Sequence, residues 1–247
     1  MPQPEQNQQI KAILFDLDGT LIRVQMSEFI PRYLKGLAAY CVDQAKTERF
    51  TKTLLQSIRD LIQTEGDGLQ TNEERICQWM EEKLALPRAT LQESLIRFRQ
   101  NGIDGLRSMV HPIPLAQQIV KECRQKEIPL VLATNPVFPR FMIQARLSWA
   151  GLDEDDFYYL TSYENSSYCK PQAGYFHEVA NLLGIAAENC LMVGNDTNHD
   201  LAAVAVGMQT YLVDTWLVER DGPEWPCENR GNHADLQRFL QERLGSY

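Results

Sequence analysis

Two carboxylates stand two residues apart in Phe15-Asp16-Leu17-Asp18-Gly19-Thr20, directly after the apolar run Ala12 to Phe15. If that run is a strand, alternate side chains share one side and the two carboxyl groups lie ~6.5 Å apart along the backbone. Such a pair suits a shared metal ion or a shared reacting group, and Gly19 admits the sharp turn that must follow. Thr134-Asn135-Pro136 offers a hydroxyl and backbone N–H groups suited to phosphate oxygens, although an Asn-Pro pair also starts ordinary turns. Lys170, before Pro171, is the only Lys or Arg between Arg146 and Arg220, in a stretch dense in Asp and Glu. Its ammonium would offset repulsion among neighbouring carboxylates and a bound anion. In Gly194-Asn195-Asp196-Thr197-Asn198-His199-Asp200, hard oxygen donors suit Mg²⁺. Asp196 or Thr197 would alternatively serve as a helix N-cap.

Short apolar runs precede these groups: Ala12–Phe15 before Asp16, Leu130–Ala133 before Thr134, Leu191–Val193 before Gly194, and Phe157–Leu160, which ends before Thr161 with Lys170 further on, while Tyr211–Val213 before Asp214 adds another. Continuous apolar strands belong to sheets covered on both faces. Helical patterns over 114–126, 174–183 and the Ala-rich 198–206 alternate with them, so the expected core is α/β, a doubly wound and mostly parallel sheet. Ligands bind outside the carboxyl ends of such strands, where all four polar groups would meet.

From about Arg23 to Arg107 the pattern is helix after helix. One helix is expected from an N-cap at Ser27, with Pro31 in its first turn. A second carries Leu54, Leu55, Ile58, Leu61 and Ile62 and breaks at Gly66 and Gly68. Capping boxes at Thr71–Glu74 and Thr90–Glu93 open two more, the last ending at Asn101-Gly102. The expected division is a core of 1–22 and 108–247 around an all-helical insertion, 23–107. The insertion holds 13 basic and 12 acidic residues, a balance of +1, so of the chain's net charge of −9 the core carries −10. A Pro-, Gly- and charge-rich surface loop over 219–232 and a final helix, His233 to Leu244, complete the chain.

With 247 residues, 44% of them hydrophobic, the chain can bury a proper core. Its acidity excludes a general nucleic-acid or anionic-membrane binder and leaves small molecules or proteins as partners. Six scattered cysteines show neither a disulfide framework nor a zinc pattern. Met1 to Gln9 is polar, and no long apolar run occurs, so the cytoplasm is the default location. Gly-rich nucleotide loops are absent.

Asp16-Leu17-Asp18-Gly19-Thr20-Leu21 resembles the first motif of the haloacid dehalogenase (HAD) superfamily. Thr134, Lys170-Pro171 and the acidic stretch from Gly194 to Asp200 resemble its second, third and fourth motifs, in order. The resemblance implies a Rossmann-like core with a helical cap over the active site. It implies Asp16 as the nucleophile that forms an aspartyl-phosphate and Asp18 as general acid/base, with Thr134 and Lys170 completing the catalytic set. Thr20 and Asn135 are the further phosphate-binding candidates. Mg²⁺ would be held by Asp16, the backbone carbonyl of Asp18, Asp196 and Asp200. Many members have Asp directly after the motif-four glycine; with Asn195 in that place, Asp196 is the expected direct ligand and Asp200 a direct or water-mediated one.

The activity so implied is Mg²⁺-dependent hydrolysis of a small phosphorylated metabolite. A phosphomutase of the same fold and a non-catalytic binding protein are the alternatives, and Asp18 disfavours a dehalogenase, whose branch lacks the second aspartate. Arg23, Arg32 and Arg75 are candidates for the substrate's leaving group on position and charge alone, each with a surface role as the simpler reading. His199 is the one histidine inside a motif. His111, His177 and His233 read as structural or solvent-facing, and Tyr33, Tyr40 and Trp79 as packing between helices.

Overall fold

The computed structural model describes residues 9–245, so all of the polar N-terminal stretch except Gln9 lies outside the described residues. Strand β1 (Ala12–Phe15) is apolar throughout and fully buried, which places it inside a six-stranded sheet. The order is β5 (Tyr159–Leu160), β4 (Leu130–Leu132), β1, β6 (Cys190–Gly194), β7 (Gln209–Val213) and β8 (Arg230–Gly231), with every neighbouring pair parallel. Strand alternation sends Ile13 and Phe15 into a cluster with α5 (Pro114–Arg124), α6 (Arg140–Trp149) and α8 (His233–Leu244). Ala12 and Leu14 pack on the opposite face with α7 (Ala173–Leu183) and a 3₁₀ turn, Leu201–Val206. The sheet is thus covered on both faces, as its apolar strands require. The chain runs from β1 outward to β4 and β5, then returns to β6 on β1's other side. That reversal opens a crevice at the carboxyl end of β1.

Strands β2 (Ile22–Val24) and β3 (Val110–Pro112) form a separate antiparallel ribbon. Between them lie α1 (Met26–Cys41), α2 (Thr47–Gln63), α3 (Asn72–Leu84) and α4 (Arg88–Asn101), with α1 packed on α2 and α4, and α3 on the same two. The ribbon therefore joins both ends of the helical segment. Its buried stripe of Phe29, Tyr33, Leu34 and Leu37 is continuous with the core. Tyr33 meets Phe98 of α4 and Phe138 of the sheet edge loop, Tyr40 also meets Phe98, and Trp79 lies beneath Arg75 and Lys83.

Several local expectations differ from the fold. Helix α1 starts at Met26 after Gln25, not after Ser27, because β2 delivers the chain directly into it; Pro31 consequently sits in the second turn. The Thr71–Glu74 capping box is present, whereas Thr90–Glu93 is not one: α4 begins at Arg88, immediately beyond Pro87, whose φ of −61° already points the chain into a helix. Arg23 belongs to β2, a strand within the stretch read as helical. The run 157–160 pairs only over Tyr159–Leu160, since Phe157 closes a 3₁₀ turn, and 198–206 forms 3₁₀ turns from Leu201, not an α-helix. Helix α6 and strand β8 have no counterpart in the sequence reading. All six cysteines are free, and no helix among the described residues is long and apolar enough to cross a membrane.

Candidate active site

The crevice at the end of β1 opens into a cleft of about 1010 Å³ that contains Asp16, Asp18, Thr134, Asn135, Lys170, Asn195, Asp196 and Asp200. Asp16 leaves the sheet with its N–H on the Val193 carbonyl (2.8 Å). The carbonyl of Leu17 then accepts the N–H groups of Thr20, Leu21 and Ile22, closing a tight turn. Gly19 adopts φ +94°, and a Cβ there would come within 2.1 Å of the Asn195 amide, so glycine allows the first and fourth motifs to touch.

Lys170 is the hub of the charged cluster. Its buried Nζ donates to Asp16 Oδ1 at 2.8 Å and to Asp200 Oδ1 at 2.6 Å. Burial opposes its charge, but the carboxylates of Asp16 and Asp200 outweigh burial and raise its pKa. Asp200 turns back over Gly194, where a Cβ would lie 2.1 Å from its Oδ2, and that oxygen accepts the Asp196 N–H. Burial pushes its pKa up to about 7 against the attraction of Lys170.

Asp18 faces a residue that the motifs do not include. The fully buried Arg146 donates through one nitrogen to both Asp18 oxygens, at 2.7 and 2.6 Å, with its guanidinium over the Phe138 ring. Burial raises the pKa of Asp18, and Arg146 offsets this only in part. A carboxyl group so placed can hold a proton, which a general acid needs. Arg146 occupies a buried face of α6 with Met142, Ile143 and Leu147; a lone charge on an apolar helical face was its one sequence signal.

Asp196 is not free toward the cleft. Its Oδ1 accepts the N–H groups of Asn198 and His199, and its Oδ2 pairs with Arg220 Nε. His199, the backbone N–H groups and Arg220 outweigh burial and lower its pKa, while burial drives the pKa of His199 down to about 4. Asp196 thus closes a local turn through its side chain and caps no helix, because the 3₁₀ turn beyond it starts only at Leu201, with Asp200 in the N-cap position. Thr20 is absent from the cleft lining: past Gly19 its hydroxyl turns to Asn195 Oδ1 and its carbonyl accepts His233 Nε2 at 2.7 Å. Thr134 is buried with its carbonyl held by Thr161 Oγ1 and the Tyr175 hydroxyl. Asn135 donates to the Lys170 carbonyl and keeps a buried Oδ1 without a partner.

Among the described residues no three His, Cys, Asp or Glu side chains surround one metal position. Mg²⁺ takes only one or two carboxylates and fills its remaining positions with water and phosphate oxygens. Asp16 and Asp200, drawn together by Lys170, fit that demand, whereas Asp196 carries a competing cation, Arg220, on its Oδ2.

A family model described as haloacid dehalogenase-like hydrolase matches residues 10–207. The pyrophosphatase PpaX of Bacillus cereus (strain AH820) is 25% identical over 192 residues, 78% of this chain and 77% of that one. A predicted phosphoglycolate phosphatase from Haemophilus somnus 129PT superposes with a TM-score of 0.56 at 18% identity, covering 94% of this chain and 98% of the other. The L-2-haloacid dehalogenase RSc1362 does so at 0.57 and 17%, covering 94% and 99%. The match spans β1 through the 3₁₀ turn beyond β6, the part of the chain that carries Asp16, Thr134, Lys170 and Asp200, and by it this chain belongs to the haloacid dehalogenase-like hydrolases.

Proposed function

We propose that the protein is a Mg²⁺-dependent phosphatase that hydrolyses a small phosphomonoester through a phosphorylated Asp16. The observation that carries this reading is the second carboxylate, Asp18, beside the nucleophile and held by Arg146. An ester's leaving oxygen needs a proton from such a group; a departing halide does not.

Asp16 Oδ attacks phosphorus in line with the ester oxygen, and the P–O bond to the leaving group breaks as Asp18 delivers its proton to that oxygen. Asp18 then removes a proton from water, whose oxygen attacks the same phosphorus. The bond to Asp16 breaks and inorganic phosphate departs. Lys170 keeps Asp16 oriented and counters the charge of the phosphoryl oxygens, and Thr134 supplies a hydroxyl at the end of β4. Mg²⁺, held by Asp16, Asp200 and the Asp18 carbonyl, would neutralise charge on the phosphoryl group as it transfers. Helices α1 to α4 act as a cap, residues 23–107, over the core of 1–22 and 108–247, and exclude water from the reaction.

Phosphate release from a panel of metabolite phosphates, with Mg²⁺ and with EDTA, tests this. Release in Mg²⁺ that disappears in EDTA and in Asp16→Asn is expected. No release from any ester, with halide freed from an L-2-haloacid, would overturn it.

A further inference from the structure

The three cleft cations differ in what neutralises them. Lys170 is paired with Asp16 and Asp200, and Arg220 with Asp196. Arg23 also lines the cleft, yet its guanidinium has no ion pair or hydrogen bond with a described residue. The other arginines singled out by the sequence are not available. Arg75 is buried, donates to the Thr64 carbonyl and covers Trp79, while Arg32 is absent from the cleft lining.

Arg23 is also not alone. It is the register partner of His111 across the β2–β3 ribbon, so the two side chains project from the same face, and both line the cleft and are exposed. Glu28 of α1 contributes a negative charge to the same wall without forming an ion pair with Arg23. Ile22, the residue before Arg23, forms a β-bridge with Asp18. The Arg23–His111 pair therefore stands on the ribbon that leads out of the Asp18 turn, in the same cleft as Asp16 and Asp18 but outside the Lys170–Asp16–Asp200 ion-pair cluster.

We infer that Arg23 and His111 form a second anion subsite, and that the substrate is a phosphomonoester whose leaving group itself carries a carboxylate or a phosphate. This deepens the phosphatase reading and rests on it for the word substrate; the anion subsite is separable from it. A flexible guanidinium donates bidentately to either oxyanion, and His111 adds a donor in either neutral tautomer.

The test measures binding and turnover separately. By calorimetry, 4-carboxybenzylphosphonate, which cannot be hydrolysed, is expected to bind the wild-type protein in Mg²⁺ about tenfold more tightly than 4-methylbenzylphosphonate. Arg23→Met should erase that preference, Arg23→Lys should retain part of it, and His111→Leu should reduce it. In turnover, 4-carboxyphenyl phosphate should exceed 4-methylphenyl phosphate in kcat/KM, chiefly through KM, and Arg23→Met should lower the ratio about tenfold. Equal affinity for the two phosphonates, or equal weakening of both by Arg23→Met, overturns the inference. Preserved binding preference with no phosphate released from either ester upholds the subsite and sinks the phosphatase reading instead.

Discussion

Arg146 and Asp18, 128 residues apart in sequence, form an ion pair in which one guanidinium nitrogen reaches both carboxylate oxygens at 2.7 and 2.6 Å. Arg146 is wholly buried, and its Nε and second terminal nitrogen have no hydrogen-bond partner. Such a pair stabilises little overall, but breaking it by removing one member leaves a charge without compensation.

Arg146→Met should therefore cost about 3–5 kcal/mol in denaturant unfolding and reduce kcat by at least about 10²-fold. Adding Asp18→Asn should restore much of the stability and none of the turnover. Equal destabilisation by the single and double variants would show that packing of Arg146 on Phe29 and Phe138, not the ion pair, dominates.

Lys170→Met leaves Asp16 and Asp200 facing each other without a cation. Phosphoryl transfer should fall by about 10²-fold or more, because positioning and charge compensation are lost together. Single-turnover phosphate release measures this directly. Activity within tenfold of wild type would place the essential positive charge elsewhere.

Asn72 and Gln172 clasp the helical segment to the site loops. The buried Asn72 Nδ2 donates to the carbonyls of Pro136 (3.1 Å) and Tyr168 (3.2 Å), and Gln172 Nε2 to that of Leu61 (2.9 Å). Asn72→Ala and Gln172→Ala should each cost about 1–3 kcal/mol. The double variant should exchange its backbone amides faster over 61–76, with the sheet unchanged. Uniform acceleration across sheet and helices would mean global destabilisation instead of release of the clasp.

His233 supports the first motif from behind. Nε2 donates to the Thr20 carbonyl (2.7 Å) while Nδ1 faces the Thr215 hydroxyl (3.0 Å), and burial lowers the pKa below 6.5 despite the bond to Thr20. A histidine whose folded pKa is depressed stabilises fully above its unfolded pKa and loses that contribution as pH falls below it. Stability should thus decline on acidification below about 6.5, and His233→Gln should flatten that slope in urea titrations repeated across pH. An unchanged slope would assign the acid sensitivity to other groups.

Much of the site was legible because each functional residue follows an apolar strand whose composition already requires burial on both faces. Parallel strands buried in that way deliver their carboxyl ends to one edge, so Asp16 and Thr134 converge from the pattern alone, whereas Lys170 and Asp200, well beyond the ends of β5 and β6, reach them through the turns that follow. Local departures arose where the chain before an element overrides its caps, as β2 does for α1 and Pro87 for α4.

The strand pattern and motif spacing by themselves determined the doubly wound core and the residues gathered at its crevice. Only the tertiary structure decided how those residues are partnered: Arg146 on Asp18, Arg220 on Asp196, and Arg23 beside His111 without a carboxylate. The physical reason is that a strand end sets where a backbone arrives, through hydrogen bonds local to the sheet. The charge state and availability of a side chain depend on burial and on partners brought from α6, the β7–β8 loop and the β2–β3 ribbon, and the local pattern does not encode those distances.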